Sequence, residues 1–220
     1  MMSAYDKLYL EKAKTTLGSM LDYAVNTLGF PIRGFWDTFL ESQVSKSFQV
    51  GNPSIVAGRS GIELCLMVTD PENKNGAQIP IRINDGKSPE YWAGWALAYY
   101  QWGSGLQFKE IDRIVPIESI VGMYFPYHEL DIRQFADRMD ELILSEHKET
   151  NIKRKRIMLG LTQSQLACYS NIPLRTLQQY EQGQKNINAA RASYLISLSK
   201  ALYCNPEELL EYQGFEDKNA

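Results

Sequence analysis

Three cysteines, two histidines and no long apolar run are what this 220-residue chain has least of, and each scarcity removes a class of function. Cys65, Cys168 and Cys204 are odd in number, far apart and outside any CxxC pair, so a disulfide scaffold is excluded and free thiols in a reducing cytosol are expected. His128 and His147 stand alone, in no H-x-x-x-H, H-x-x-E-H or Cys/His spacing, so no metal is expected. There is no P-loop, no G-x-G-x-x-G and no G-x-S-x-G; GRSG and WGSG read as short turns, and Asp140 and Glu141 fall on a helix face read as solvated. The expectation is a protein that is not an enzyme and carries no cofactor. No stretch reaches the roughly 18 to 20 apolar residues of a membrane span. The opening MMSAYDKLYLEKAK alternates charge with apolar residues and lacks the apolar region of a secretory signal, so a cytoplasmic protein is expected.

Positive charge is scarce in total but concentrated in one place. The formal net charge is -3 and the pI about 5.5, which alone argues against a nucleic-acid partner. Residues 1–147 hold 13 Lys and Arg against 19 Asp and Glu, residues 148–203 hold 9 against 2, and residues 204–220 hold 1 against 5. A compact basic block between acidic flanks is the footprint of a module that neutralises phosphates. The run KRKR, Lys153 to Arg156, taken alone is equally a solvated helix face. It adjoins GLTQSQLACYSNIPLRTLQQYEQGQ, which places five glutamines between Gln163 and Gln182.

What is abundant is helical periodicity, and the fold class expected is mainly α. Tyr5, Leu8, Tyr9, Leu17, Met20, Leu21, Ala24, Val25 and Leu28 recur at mostly three and four residues, predicting a long helix that ends near Gly29. Pro31 starts a second helix with Phe35, Trp36, Phe39, Leu40 and Val44 on a broad face. Ser60 and Glu63 have capping-box spacing ahead of Ile62, Leu64, Leu66 and Met67, with a strand as the competing assignment. DPENKNG, Asp70 to Gly76, is the best candidate boundary, and QIPIRIND after it fits a short edge strand or an extended connector. SPEYWAGWALAYYQW offers Ser88 as a cap and Pro89 in the first turn, and Trp92, Trp95 and Tyr99 share a face with Trp102 one turn on. Two readings stay open for these rings: a helical core, or a partner-binding surface. Two short helical patterns follow, FKEIDRIV and PIESIVGMYF. Asp131 then caps a helix with Ile132, Phe135, Ala136, Met139, Leu142 and Ile143 on one stripe, which either continues into the basic block or articulates with it. The expected division is 1–70, 77–147, 148–212 and a tail 213–220, the first two packing either separately or as one domain.

From Asn151 the pattern changes to short helices with tight connections. Ile152 to Leu159 is stopped by Gly160, Thr162 caps TQSQLACYS, Asn171 permits a sharp turn, Pro173 begins LRTLQQYEQG, and Gly183 ends it. AARASYLISLSKALY and Pro206-Glu-Glu-Leu-Leu complete five helices in about 60 residues, a size that folds alone. The expected core is Ile157, Leu166, Ala167, Ile172, Leu177, Leu195, Leu198, Leu202 and Leu209. Two helices joined by so short a turn have helix-turn-helix organisation.

LGLTQSQLA, PLRTLQQYEQG and LSKALYCNPEELLE together resemble the helix-turn-helix domain of Cro/CI-type (XRE family) regulators over residues 151–212. The resemblance implies that the second helix of the pair enters the major groove of double-stranded DNA, with Pro173, Leu174, Arg175 and Thr176 facing base edges and Gln179 one turn later. Arg175 then donates to guanine O6 and N7, Gln179 pairs with adenine N6 and N7, and Leu174, where the family often has a polar residue, either touches a thymine methyl or only narrows the readout. Gln163, with Thr162 and Ser164 beside it, takes the place that clamps a phosphate. Lys185, Asn186 and Asn188 follow as further phosphate contacts, as do Lys153, Arg154 and Arg156, whereas Gln165, Gln178 and Gln182 read as solvent-facing. Glu181 and Gly183 are implied to be structural, with Arg191 as a partner for Glu181. A homodimer on a pseudo-palindromic operator is expected, because one such domain covers too little DNA for tight selectivity.

Residues 1–147 are the interaction or regulatory part in this scheme. GNPSIVAGRSGIEL and SPEYWAGWALAYYQW resemble segments of uncharacterised bacterial proteins from toxin–antitoxin-like gene neighbourhoods, which implies an antitoxin whose N-terminal region binds a cognate toxin, with Trp92, Trp95, Tyr99 and Trp102 as its partner-binding residues. The alternative is a ligand-responsive regulator, with the rings around Trp92 lining a small-molecule pocket.

Overall fold

The computed structural model describes residues 3–70, 88–146, 149–212 and 214–215, and these divide between two compact units. Unit 1 comprises Met1–Ile143 with Gly214–Ala220, and unit 2 comprises Leu144–Gln213. The described residues form helices and turns and no strand, so the fold is all α. None of these helices is long and apolar enough to cross a membrane.

Unit 1 runs through α1 (Leu10–Asp22), α2 (Ile32–Glu41), α3 (Gln43–Gln49), α4 (Pro53–Val56), α5 (Gly61–Thr69), α6 (Pro89–Ser104), α7 (Phe108–Ile114), α8 (Ile117–Gly122), α9 (Tyr124–Tyr127) and α10 (Ile132–Glu146). The predicted first helix does reach Gly29, by way of a π-helical turn at Tyr23–Thr27. The predicted second helix is broken at Ser42, whose extended backbone ends α2 and whose hydroxyl accepts from the Ser45 N–H to start α3. For residues 62–67 the helix is correct and the strand is not, because Ser60 and Glu63 close the full capping box. The boundary predicted at DPENKNG and the extended segment QIPIRIND lie outside the described residues beyond Asp70.

Helix α6 organises unit 1. It is buried on nearly every face, from Trp92 to Ser104, which places it in the middle of the bundle rather than along its edge. Its backbone crosses α1 closely: a Cβ on Gly94 would lie 2.7 Å from the Leu17 carbonyl oxygen, and one on Gly18 would lie 2.7 Å from that of Tyr91. Any larger residue at either position would push the two helices apart. Trp92, Tyr99 and Trp102 are accordingly buried, at 7%, 4% and 2% exposure, so the predicted partner-binding stripe is core, with Trp95 alone of the four partly exposed. Trp102 donates its indole N–H to the Tyr5 carbonyl (2.8 Å). The segment read as a tail also contributes, since the Phe215 ring fills the notch that Gly103 leaves open and packs on Tyr99 and Tyr100.

Unit 2 is built from α11 (Asn151–Met158), α12 (Gln163–Ser170), α13 (Leu174–Glu181) and α14 (Ala192–Ala201), with 3-10 turns at Ile187–Ala189 and Pro206–Leu209. Leu166, Ala167, Ile172, Leu177, Leu198, Leu202 and Leu209 are buried as expected, and Leu195 packs against them partly buried. Ile157 corrects the expectation, being 50% exposed, while Ile152 is fully buried. The inward face of α11 is Ile152 and, one turn on, Arg156, which turns Ile157 outward.

Thiol reactivity tests this packing. Cys168 is exposed, whereas Cys65 is fully buried and its thiol is pushed up to about 12 by that burial. Under native conditions an aromatic disulfide reagent should label Cys168 readily and Cys65 only on unfolding. Mass mapping that found Cys65 labelled at the rate of Cys168 would contradict the arrangement of α5.

Candidate nucleic-acid interface

The pair α12 and α13 meets at a turn whose geometry follows from three residues. Asn171 adopts the left-handed conformation (φ 52°, ψ 40°), which asparagine tolerates better than most residues. The next residue, Ile172, is 4% exposed and anchors the turn in the core, and Pro173 fixes the entry to α13. At the start of α12 the Thr162 hydroxyl accepts from the Gln165 N–H (3.2 Å), and Gln165 Oε1 accepts from the Thr162 N–H (2.8 Å). Gln165, read as solvent-facing, therefore works as half of a capping box.

Behind this pair lies a buried carboxylate. Glu181 is 5% exposed and receives Arg156 in a two-pronged contact, Nε at 2.6 Å and Nη2 at 3.0 Å. Gln163 Nε2 donates to the same carboxylate at 2.8 Å, and Gln178 Nε2 donates to Gln163 Oε1 at 3.3 Å. Arg156 Nη1 reaches the Leu161 carbonyl at 2.7 Å. The Glu181 carboxylate beside it holds the Arg156 guanidinium above its ordinary value. One ion pair thus ties α11, α12 and α13 together. Arg156, not Arg191, is the partner of Glu181; Arg191 is an exposed residue elsewhere on the unit.

The two lysines of the basic run are also committed within the unit. Lys153 pairs with Glu149 and Lys155 with Glu208, each at 2.7 Å. These lysines hold both carboxylates below their usual range, chiefly through the hydrogen bonds they donate. Asn188, expected at a phosphate, spends its side chain on the Glu211 backbone, donating to its carbonyl (2.7 Å) and accepting from its N–H (2.8 Å).

What remains outward is a set around the first turn of α13. Thr162, Ser164, Pro173, Leu174, Arg175, Lys185 and Asn186 are exposed, and Gln163, Thr176 and Gln179 are partly so. Arg175, Lys185 and Arg191 have no ion-pair partner among the described residues. Thr176, Tyr180, Lys185, Asn186, Arg191 and Tyr194 line one cleft of about 450 Å³. The Lys185 N–H donates to the Gln179 carbonyl (3.1 Å), which seats the lysine at the end of α13, and the Asn186 side chain caps the following turn by accepting from the Asn188 N–H (2.8 Å). Arg191 and the two tyrosines were missed as members of this surface. Their signal was available only as a basic residue one turn before Tyr194, which many helices share.

Residues 152–209 match the helix-turn-helix family model, about a quarter of the chain. Unit 2 is therefore a helix-turn-helix domain of the XRE type, a class of DNA-binding regulators. No curated protein and no solved structure matches the chain.

Removing one partner of the buried pair strands the other. Glu181→Ala should destabilise unit 2 by about 3 kcal/mol, whereas Lys155→Ala should cost less than about 1 kcal/mol because its pair is half exposed. All four tryptophans lie in unit 1, so hydrogen exchange of α11–α13 peptides is the suitable readout. Equal protection in the two variants would contradict the role given to Glu181.

Proposed function

We propose that the protein is a sequence-specific transcriptional repressor that acts in the cytoplasm as a homodimer, laying α13 in the major groove of each half of a pseudo-palindromic operator. One observation carries this reading. Three of the four KRKR cations are ion-paired within unit 2, whereas Arg175 at the start of α13 and Lys185 and Arg191 beyond its end are exposed and have no ion-pair partner among the described residues. A groove-entering helix flanked by phosphate-binding cations requires that arrangement. Arg175 donates to guanine O6 and N7, Leu174 meets a thymine methyl, and Gln179 reads one turn further along. Gln163 contributes through the donor capacity left after its bond to Glu181, with Thr162 and Ser164 beside it at the phosphate.

Unit 1 regulates this activity. The ligand-responsive form of the proposal is favoured by a cleft in unit 1 of about 330 Å³ lined by Trp92, Trp95 and neighbouring rings, within the size range of small-molecule sites. The antitoxin form places a protein toxin on unit 1, and draws on the aromatic stripe only through Trp95, since the other three rings are core. Co-purification of a cognate toxin is its test.

On an operator recovered by selection from random duplexes, Arg175→Ala should lower specific affinity by roughly 5- to 150-fold for each half-site, the equivalent of about 1–3 kcal/mol at each, and leave nonspecific binding in place. Lys185→Ala should weaken all sequences alike and reduce the slope of log affinity against log salt by about 0.9 for each half-site, about 1.8 for the dimer. Gel-shift titrations across a salt series separate the two outcomes. Unchanged operator affinity in Arg175→Ala would refute the groove assignment.

A further inference from the structure

The cleft in unit 1 has walls chemically unlike its surroundings. Tyr91, Trp92, Trp95, Tyr124 and Tyr127 line it with five tyrosines and tryptophans, and His128 and Asp131 supply polar edges. The rings are held in place by each other: Trp92 meets Tyr124 edge-on at 5.9 Å, and His128 stacks on Tyr124 at 4.0 Å. The backbone fixes the imidazole as well, because Nδ1–H donates to the Tyr124 carbonyl at 2.8 Å. Asp131 is the one carboxylate on the lining, and no lysine or arginine lines it among the described residues. Its Oδ1 accepts from the Arg133 N–H as the cap of α10 (2.9 Å), and the carboxylate is exposed. Glu129 adds a second carboxylate close by, 3.6 Å from His128 Nε2.

We infer that this cleft binds a small organic cation of the alkylammonium class. Aromatic faces carry negative potential, and a cation over them gains most when a carboxylate stands near. An anion would find no cationic partner on the walls. A neutral ligand without a hydrogen-bond donor would cover Asp131 without pairing it. The rings of unit 1 already draw one cation: Lys14 Nζ lies 4.4 Å from the centre of the Trp95 ring although Lys14 is 6% exposed. Glu11 neutralises that lysine at 2.6 Å, so it approaches Trp95 from α1 without opposing a second positive charge in the cleft.

The inference rests on the ligand-responsive form proposed above, and the experiment tells the two apart. Choline and benzyltrimethylammonium are titrated into the full-length protein at constant ionic strength, with tryptophan fluorescence as the readout and 3,3-dimethylbutan-1-ol as the uncharged isostere of choline. Saturable quenching by at least one cation is expected, with choline bound roughly tenfold more tightly than the isostere if it is the better probe. Asp131→Asn, which preserves the cap, should weaken cation binding by about fivefold with an unchanged melting temperature. Equal binding of choline and its isostere, indifference of Asp131→Asn, or no saturable response to either cation would each overturn the cleft assignment. Saturable cation binding that leaves operator affinity unaltered would retain the site and remove only the regulatory form; failure of operator binding in the gel-shift series would leave the site standing.

Discussion

A carboxylate at the C-terminal end of a helix is badly placed twice over: it faces the negative pole of the backbone dipoles, and when buried it loses its hydration. Glu181 stands in that position at the end of α13, and the arrangement of unit 2 follows from how its charge is met. Arg156 arrives from α11 with two nitrogens, Gln163 arrives from α12 with one, and each contact has a direction as well as an energy. Apolar packing through Leu166, Leu177 and Ile152 would hold the same helices together while leaving them freer to slide. The ion pair removes that freedom. It also determines what the outer surface is made of, since the arginine nearest to α12 is consumed inside and the cations around α13 are left to act outside.

The local parts of this fold were legible because their causes are local. Ser60 with Glu63, Ser88 with Pro89, and Thr162 ahead of α12 are what a helix start needs, and each cap forms at the predicted place, with Gln165 adding a second half to the Thr162 cap that its sequence position did not suggest. Asn171 marked the turn between α12 and α13 for the same reason. The partner of Glu181 was not legible, because KRKR reads as a surface run and only the approach of three helices shows that its last member points inward. That one inward turn also explains the failure at Ile157, one residue beyond Arg156. Gln178, assigned to solvent, is likewise explained by a contact to a residue on another helix.

In unit 1 the difficulty was of another kind. Periodicity put Trp92, Trp95 and Tyr99 on one face of α6, and a one-sided stripe has a meaning only if the other sides differ. Helix α6 is buried nearly all round, with Gly94 against Gly18 on one side and Gly103 against the Phe215 ring on another, so the stripe points to no single neighbour. Its aromatic content serves the core, and the small part of it that is open, around Trp95, becomes a cleft only when α9 and the start of α10 supply Tyr124, Tyr127, His128 and Asp131. Those residues are some thirty positions away in the chain, and although the cap at Asp131 was legible, nothing local in the sequence shows that it comes to lie beside Trp95.

The claim on which the functional reading turns is that α13 reads base edges from the major groove in two symmetry-related half-sites. Dimethyl sulfate protection tests it directly, because the reagent methylates guanine N7 in the major groove and adenine N3 in the minor groove. On the selected operator, the expected result is protection of guanine N7 in two clusters about one helical turn apart, with adenine N3 between them unaffected. Protection confined to adenine N3, or a single cluster with no symmetric counterpart, would contradict the placement of α13 and the homodimer together.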